Sequence, residues 1–555
     1  MKTSAPIVKL GRYQSLITTF GKSIPCKDVF NPKPLMGDSF LDATSFAALE
    51  IDNLISTFGS PQLRLGEYAL YRAFTSSQKT RNVVIQRQDA LRELSQNKEL
   101  RGVFEALIEE TSNDEKGLFD LLWARFQGFF GSSATEQGST QNNSDFHERP
   151  GFGYTAFKHT RRLLRLVKKA STHQAFKLKE VKSPFLVGIL EDLNGVNTSR
   201  VAQLFLDKTI VTESGLKTRD EKKWWVPGYC FRPTFIKPIL FSIIFASVYL
   251  VVNFVQTNYA SLGSGLGPIS FFIGIPFFIF AALTAGSIER DNVIVPLGKQ
   301  FRQDPEMLSL LDALGEIEVL LLHHRFSEQF PGPICLPEII EAEHHQLTVD
   351  NLWNASMGIQ NGSYVANDVA LSESRLTFVT GPNSGGKTAL CKTLCQAQIL
   401  AQSGAYIPAK NAIVSIVKHI FYQVPEAGTL ESQQGRFATE LERTRDIFFN
   451  SSGQCLVVLD EPFEGTSYEE RFEITQQVLD GFIKLGASVL FITHNFQLVK
   501  SYRNHEAAQF LQTVFENNAF THQFVEGVAT TSHANRVASQ LGFSKDDIDK
   551  HVQNI

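Results

Sequence analysis

Cysteine is scarce and never paired in a way that would make it structural. Cys26, Cys230, Cys335, Cys391, Cys395 and Cys455 are scattered over 555 residues with no CxxC pair. That pattern offers neither a disulfide framework nor a zinc ribbon, and it fits a reducing compartment. A positive excess is also missing. Lys and Arg number 53 against 57 Asp and Glu, a formal charge of -4, so any nucleic-acid surface must be a local patch rather than a field of the whole chain. Met1 to Phe20 contains no apolar signal-peptide core, so secretion is not expected. Nor does the chain have a disordered composition: with 43% hydrophobic and 20% charged residues it can bury a large core, and at ~100–200 residues per domain it suggests three or four structural units.

Apolar residues recur at helical spacing from Phe40 to Glu110, as in Phe46, Leu49, Leu54 and Ile55, then in Val103, Leu107 and Ile108. This predicts a helical region over 39–235, after an N-terminal segment 1–38. Residues 131–150 have almost no apolar content and read as a flexible surface insert. A basic helical stretch follows, with Lys158, Arg161, Arg162, Arg165, Lys168 and Lys169 among Leu163, Leu164, Leu166 and Val167. It reads either as a solvated helix face or as a contact for anionic lipid or nucleic acid.

Two runs, Pro238 to Val255 and Ile269 to Ile288, carry no charged residue until Glu289, and the connection between them carries none either. Each is about 27–30 Å long as a helix, enough to cross a bilayer. Lys222, Lys223, Arg232 and Lys237 precede them, and Arg290, Lys299 and Arg302 follow. Hydropathy and the positive-inside rule predict a transmembrane hairpin over 236–288 with both flanks in the cytoplasm; the competing reading is a hairpin buried in protein. A helical return over 289–345 leads past Pro331-Gly332-Pro333 into a region, 346–555, where helices alternate with β-rich runs at Leu376–Thr380, Ile413–Val424, Cys455–Leu459 and Ser488–Ile492. Alternation of this kind predicts a parallel sheet flanked by helices.

The chemistry concentrates there. Gly381-Pro382-Asn383-Ser384-Gly385-Gly386-Lys387-Thr388 fits G-x-x-x-x-G-K-[ST] between an apolar strand and a helix. The glycines let backbone N–H groups wrap phosphates, Lys387 offsets the β/γ charge, and the Thr388 hydroxyl can ligate Mg2+. The strand Cys455–Leu459 ends in Asp460 and Glu461, a carboxylate to hold magnesium and one to orient or deprotonate an attacking water. A further strand ends in Thr493-His494, placing an imidazole where it could sense a γ-phosphate. Cys391 and Cys395, at i and i+4, read as packed thiols. His323, His324, Glu341, Glu343, His344 and His345 do not have tetrahedral zinc spacing and read as exposed or locally bonded.

The runs GPNSGGKT (381–388), LDEPFEGTS (459–467) and ITHN (492–495) resemble the ATPase domain of the MutS mismatch-repair family, a branch of the ABC-type ATPases. Tyr364-Val-Ala-Asn-Asp368 is similar to the segment whose aromatic residue stacks on adenine, and Thr521-His522 with Thr531-Ser532 to the C-terminal segment whose histidine covers adenine's other face. Phe40 to Leu65 resembles the start of the family's helical core and lever. The resemblance implies ATP and Mg2+ as cofactors, a homodimer that shares its sites, and DNA as a partner. The family's signature segment, which reaches the γ-phosphate across the dimer, begins with a serine; here Gly435 stands there, followed by Arg436. No counterpart of the N-terminal mismatch-recognition domain is recognisable, and Phe-x-Glu tripeptides such as Phe326 to Glu328 occur at chance frequency. The expectation is therefore a multidomain, membrane-anchored protein. It would have an α-helical core and lever, a two-helix transmembrane hairpin in place of the family's clamp, and an α/β P-loop ATPase domain. It would act on DNA or on a protein or lipid partner at the membrane.

Overall fold

The computed structural model describes residues 39–76, 80–128, 131–132, 148–173, 176, 181–234, 247, 250–251, 254, 284–361, 364–382, 385–425, 433–463, 467–516, 519–528 and 543–553. Contacts divide the chain into two compact units, each discontinuous in sequence. Among described residues, unit one holds Pro61–Leu70 and Glu93–Leu321, and unit two holds the chain up to Ser60, Tyr71–Arg92 and everything from Leu322 onward.

Unit one is mainly helical. The helix Lys98–Trp123 starts at Asn97, whose side chain accepts from Leu100 N and so satisfies one of the N–H groups a helix start leaves free. It packs against the helix Tyr154–Ser171, whose Phe157, Leu163, Leu164 and Val167 are buried. Buried carboxylates serve as caps as well. Glu115 accepts from Arg64 N and Leu65 N, both at 2.9 Å, and Glu318 accepts from Leu63 N at 3.0 Å, which places negative charge at the start of the helix Arg64–Thr75. Two small sheets complete the unit: β1 (Arg125–Gly128), β2 (Gly131–Ser132) and β3 (Glu148–Pro150), then β4 (Ile210–Thr212), β5 (Gly215–Lys217) and β6 (Gly228–Cys230). The expected insert 131–150 is bracketed by β2 and β3, and 133–147 lies outside the described residues.

The expected transmembrane hairpin, and with it the multi-pass placement in a membrane, is corrected. Among the described residues no helix is long and apolar enough to cross a membrane. Most of 238–255 and 269–283 lies outside the described residues, but the end of the second expected span packs as part of unit one. Ser287 is 7% and Glu289 5% exposed, the Tyr154 hydroxyl donates to the Glu289 carboxylate, and a Cβ on Gly286 would come within 2.6 Å of the Phe152 ring. The chain continues through a π-helical turn at Arg290–Ile294, where buried Arg290 donates to Phe126 O at 3.3 Å, into the helix Val295–Gln303. Hydropathy sums composition along the chain; it cannot register that Phe152 and Tyr154, over 130 residues away, cover this segment.

Unit two is built on sheets. Its strands are β7 (Glu338–Ile340), β8 (Leu347–Leu352), β9 (Asn367–Ala370), β10 (Leu376–Thr380), β11 (Asn411–Ser415), β12 (His419–Gln423), β13 (Cys455–Asp460), β14 (Ser488–Ile492), β15 (Ala508–Glu516) and β16 (Ala519–Glu526). Six form the main sheet in the order β12-β13-β14-β10-β15-β16, parallel except for β16. The runs LTFVT, CLVVLD and SVLFI are buried along their whole length, as strands covered on both faces must be. Phe378 centres the core, stacked on Phe510 at 5.4 Å and edge-on to Phe491 at 5.6 Å. The expected single run Ile413–Val424 is two strands. β11 joins β7, β8 and β9 in a second sheet, and β12 joins the main one, because Val417 N turns aside to donate to Gln402 Oε1. The helix Tyr468–Leu485 shows why such sequences fold locally. Ser467 caps it, Glu469 and Glu470 occupy its first turn, Lys484 its last, and Gly486 ends it at φ 74°. Sequence-distant residues join this unit too. Gln396 Nε2 donates to Leu49 O at 2.9 Å, Lys392 pairs with Glu50 at 2.6 Å, and Tyr422 N donates to Ser45 Oγ.

Candidate functional site

Parallel strands end at one edge, and here three of them deliver the chemistry. β10 runs into Gly381, β13 into Glu461, and β14 into Thr493 and His494. Gly381 sits at φ 134° and Gly386 at φ 89°, conformations that side chains strain to adopt. A Cβ on Gly381 would lie 2.4 Å from Thr513 Oγ1, and one on Gly385 2.8 Å from Thr513 Cγ2. The loop is thus pressed against β15, and glycine is what lets it turn there. Gly385 N donates back to Pro382 O at 3.0 Å, and the helix Lys387–Ser403 begins directly after Gly386. Asn383 and Ser384 lie outside the described residues.

Lys387 is 3% exposed. Its Nζ donates to Gly381 O at 2.7 Å and lies 3.3 Å from His494 Nε2. Burial pushes its pKa down, while Glu461 and Asp460 pull it back up. The Thr388 hydroxyl donates to Asp460 Oδ2 at 2.9 Å. Burial raises the Asp460 pKa, against the lowering bond from Thr388. His494 Nε2 is 2.6 Å from Glu461 Oε1. One imidazole nitrogen thus lies within bonding reach of a donor and an acceptor, so its protonation decides which it serves. Glu461 adopts φ 46°, and its N donates to Ile492 O at 3.1 Å, across to β14. A left-handed backbone at a non-glycine residue is strained and is held only by surroundings that over-determine it.

The structure brings Lys387, Thr388, Asp460, Glu461 and His494 into one bonded cluster beside Gly381, Gly385 and Gly386. Tyr364 and His522 lie on its flanks. The Tyr364 hydroxyl is 3.4 Å from Thr393 Oγ1, one turn and a half along the loop's helix, and burial raises its pKa. His522 sits at φ 57°, with its Nδ1 3.3 Å from where a Cβ on Gly386 would be. Asn367 ties β16 to the segment of Tyr364, donating to His522 O at 3.2 Å and to Val365 O at 3.0 Å and accepting from Phe524 N at 2.7 Å. Gly435 lies in the first turn of the helix Gln433–Phe449.

Two residues to which the sequence reading assigns no role hold the site. Glu440, 2% exposed, accepts from Phe463 N at 2.7 Å, so the helix that carries Gly435 grips the turn after Glu461. Thr513 fixes the glycines from β15, and nothing local in its sequence signals that. Of the cluster expected to be exposed or locally bonded, Glu341 and Glu343 are exposed, His344 is half-buried and His324 pairs with Glu328 at 3.2 Å, whereas His323 and His345 are buried in packing. His323 is 2% exposed and edge-on to Phe58 at 4.9 Å, and His345 is fully buried with Nε2 3.2 Å from Gln398 Oε1. Cys391 and Cys395 are buried, and burial raises both thiols.

The donor set suits a nucleotide with magnesium. Thr388 and Asp460 offer hard oxygens in contact with each other, as magnesium takes them, and the glycine cradle would be filled by any Cβ. Fold and loop together define a P-loop α/β domain. Residues 377–554 match the family described as MutS domain V. The DNA mismatch repair protein MutS of Shouchella clausii is 33% identical over 193 residues, 34% of this chain and 22% of that protein. That of Prochlorococcus marinus (strain MIT 9301) is 27% identical over 270 residues, 47% of this chain and 29% of that protein. Through this part the chain is similar to the MutS family. The matched stretch spans 22% and 29% of the length of these two relatives.

Proposed function

We propose that unit two binds Mg-ATP and hydrolyses it by phosphoryl transfer to water, and that the chain couples this to DNA binding or mismatch-repair-like DNA processing. The observation that carries the reading is the bonded chain from Gly381 O through Lys387 to His494 and Glu461, with Thr388 on Asp460 beside it. When bound, magnesium supplies charge neutralisation at the phosphates. Lys387 binds the β/γ-phosphates from the loop. Thr388 and Asp460 hold the metal. Glu461 orients the attacking water and takes its proton, and His494 positions Glu461 and reads the γ-phosphate. Tyr364 stacks on adenine and His522 covers its other face. The helix with Gly435 faces a second copy in a homodimer.

Release of phosphate by the full-length protein, with and without single-stranded, duplex, mismatched or branched DNA, tests this. Hydrolysis that is lost in Lys387→Ala and stimulated by DNA, with the stimulation falling as salt is added, is the expected result. No hydrolysis by the wild type would overturn the ATPase assignment, and hydrolysis indifferent to every DNA would remove DNA from it. Gly435 favours a second reading, a nucleotide-gated scaffold that turns over slowly because the partner supplies no serine hydroxyl. Fast basal turnover would exclude that reading, and restoring Ser at 435 should accelerate a slow enzyme.

A further inference from the structure

Unit one contains a cavity of about 500 Å³ that the nucleotide reading does not use. Its walls carry Lys158, Arg161, Arg162 and Arg165 from the helix Tyr154–Ser171, joined by Lys208 and by Arg232 just after β6. The helical cations fall at i, i+3, i+4 and i+7, hence on one face, while the opposite face is buried through Phe157, Leu163, Leu164 and Val167. Phe231, edge-on to Phe157 at 5.2 Å, anchors the segment that brings Arg232 to the mouth.

Six cations meet one carboxylate on the wall, Asp207. Arg162 is partly engaged with buried Asp114, Nη1 to Oδ1 at 3.3 Å. Among the described residues no ion pair holds Lys158, Arg165, Lys208 or Arg232. Arg161 is fixed in direction, its Nη2 donating to Leu206 O at 3.0 Å and Asp207 O at 3.1 Å. Its Nε is buried with no hydrogen-bond partner among the described residues. Burial lowers its pKa, and Arg165 adds a smaller repulsion, against Asp207, that an anion would relieve.

We infer that this cavity binds a compact ligand carrying two or more phosphate groups, at a site separate from the P-loop. A phosphate carries about -1.5 to -2 charges at pH 7, so one leaves cations uncompensated and two or three match the wall. Guanidinium groups suit phosphate through paired N–H donors. The volume lies within the ~300–1,000 Å³ of small-molecule sites. A duplex offers its phosphates along a rod, one per ~1.7 Å of axis, and calls for an open stripe, whereas these cations converge on one hollow. The inference is independent of the ATPase reading.

The test is calorimetric titration of the full-length protein with inorganic triphosphate, in wild type and in a Lys387→Ala background that disables the P-loop. Binding that persists in Lys387→Ala and weakens about tenfold or more when Arg165→Glu or Arg232→Glu is added is the expected result. Both arginines are exposed, so neither change should unfold the unit. Absence of binding in Lys387→Ala, or binding there that both charge reversals leave unchanged, would overturn the proposal. So would duplex DNA that binds through Arg165 and Arg232 while triphosphate neither binds nor competes, which would make the hollow part of a nucleic-acid surface.

Discussion

In unit two the positive charge at the loop is one buried lysine, Lys387, bonded to Gly381 O and faced by Asp460 and Glu461. In unit one the hollow beside Tyr154–Ser171 carries six cations on side chains, with Asp207 alone opposing them on its wall. In the proposed reading the first arrangement would use the main chain to hold an anion and the carboxylates to hold a cation or a water, and so do chemistry on what it binds. The second has cations and almost nothing else, so it can bind and neutralise but offers no base. A site made of backbone must have glycine at fixed places and therefore leaves a motif. A site made of side chains drawn from 158–165, 207–208 and 230–234 leaves none.

The comparison breaks first at Glu461. Glu461→Gln should lower the hydrolysis rate by about 10²–10⁴-fold, as loss of a general base does, while ATP still binds and protects the protein against thermal unfolding. Wild-type turnover in that variant would remove Glu461 from the mechanism. Gly381→Ala tests the backbone. It adds no charge, yet its Cβ would meet Thr513 Oγ1 at 2.4 Å from a backbone at φ 134°, and nucleotide affinity should fall by about 1–3 kcal/mol. Fluorescent-nucleotide titration reads this directly, and unchanged affinity would show that β15 does not shape the loop.

Acid should separate the two sites as well. Burial holds the His345 pKa down at about 4, against an ordinary 6.5, and its ring lies on Gln398 of the loop's own helix. Below pH ~6.5 the unfolded chain takes up a proton that the folded one refuses, so stability falls as pH drops from ~6.5 to ~4 and is flat above. The contribution is about 2–3 kcal/mol over that window. Denaturant melts at pH 7 and pH 4.5 should show a steeper loss in wild type than in His345→Gln, and equal slopes would acquit His345. The wall of the hollow in unit one includes no histidine. The smallest expected effect is at the flank: Tyr364→Ala should weaken ATP binding by about 1–2 kcal/mol through lost stacking, and no change would remove Tyr364 from the adenine site.

The sequence by itself determined the parallel sheet, the loop and its order of elements. Leu376–Thr380, Cys455–Asp460 and Ser488–Ile492 are predominantly apolar because a strand buried on both faces admits few polar groups, and the loop's glycines follow from φ values that only glycine adopts without strain. What it could not determine were relations between distant residues. Hydropathy over 269–288 counted apolar residues without knowing that Phe152 and Tyr154 cover the end of the run. Spacing discounted zinc at the histidines without showing that His323 packs on Phe58. Glu440, Thr513 and the six cations of unit one gain their meaning from neighbours far along the chain. Tertiary structure decided these, because burial, charge neutralisation and steric contact act through space, whereas local propensity and strand burial are written residue by residue.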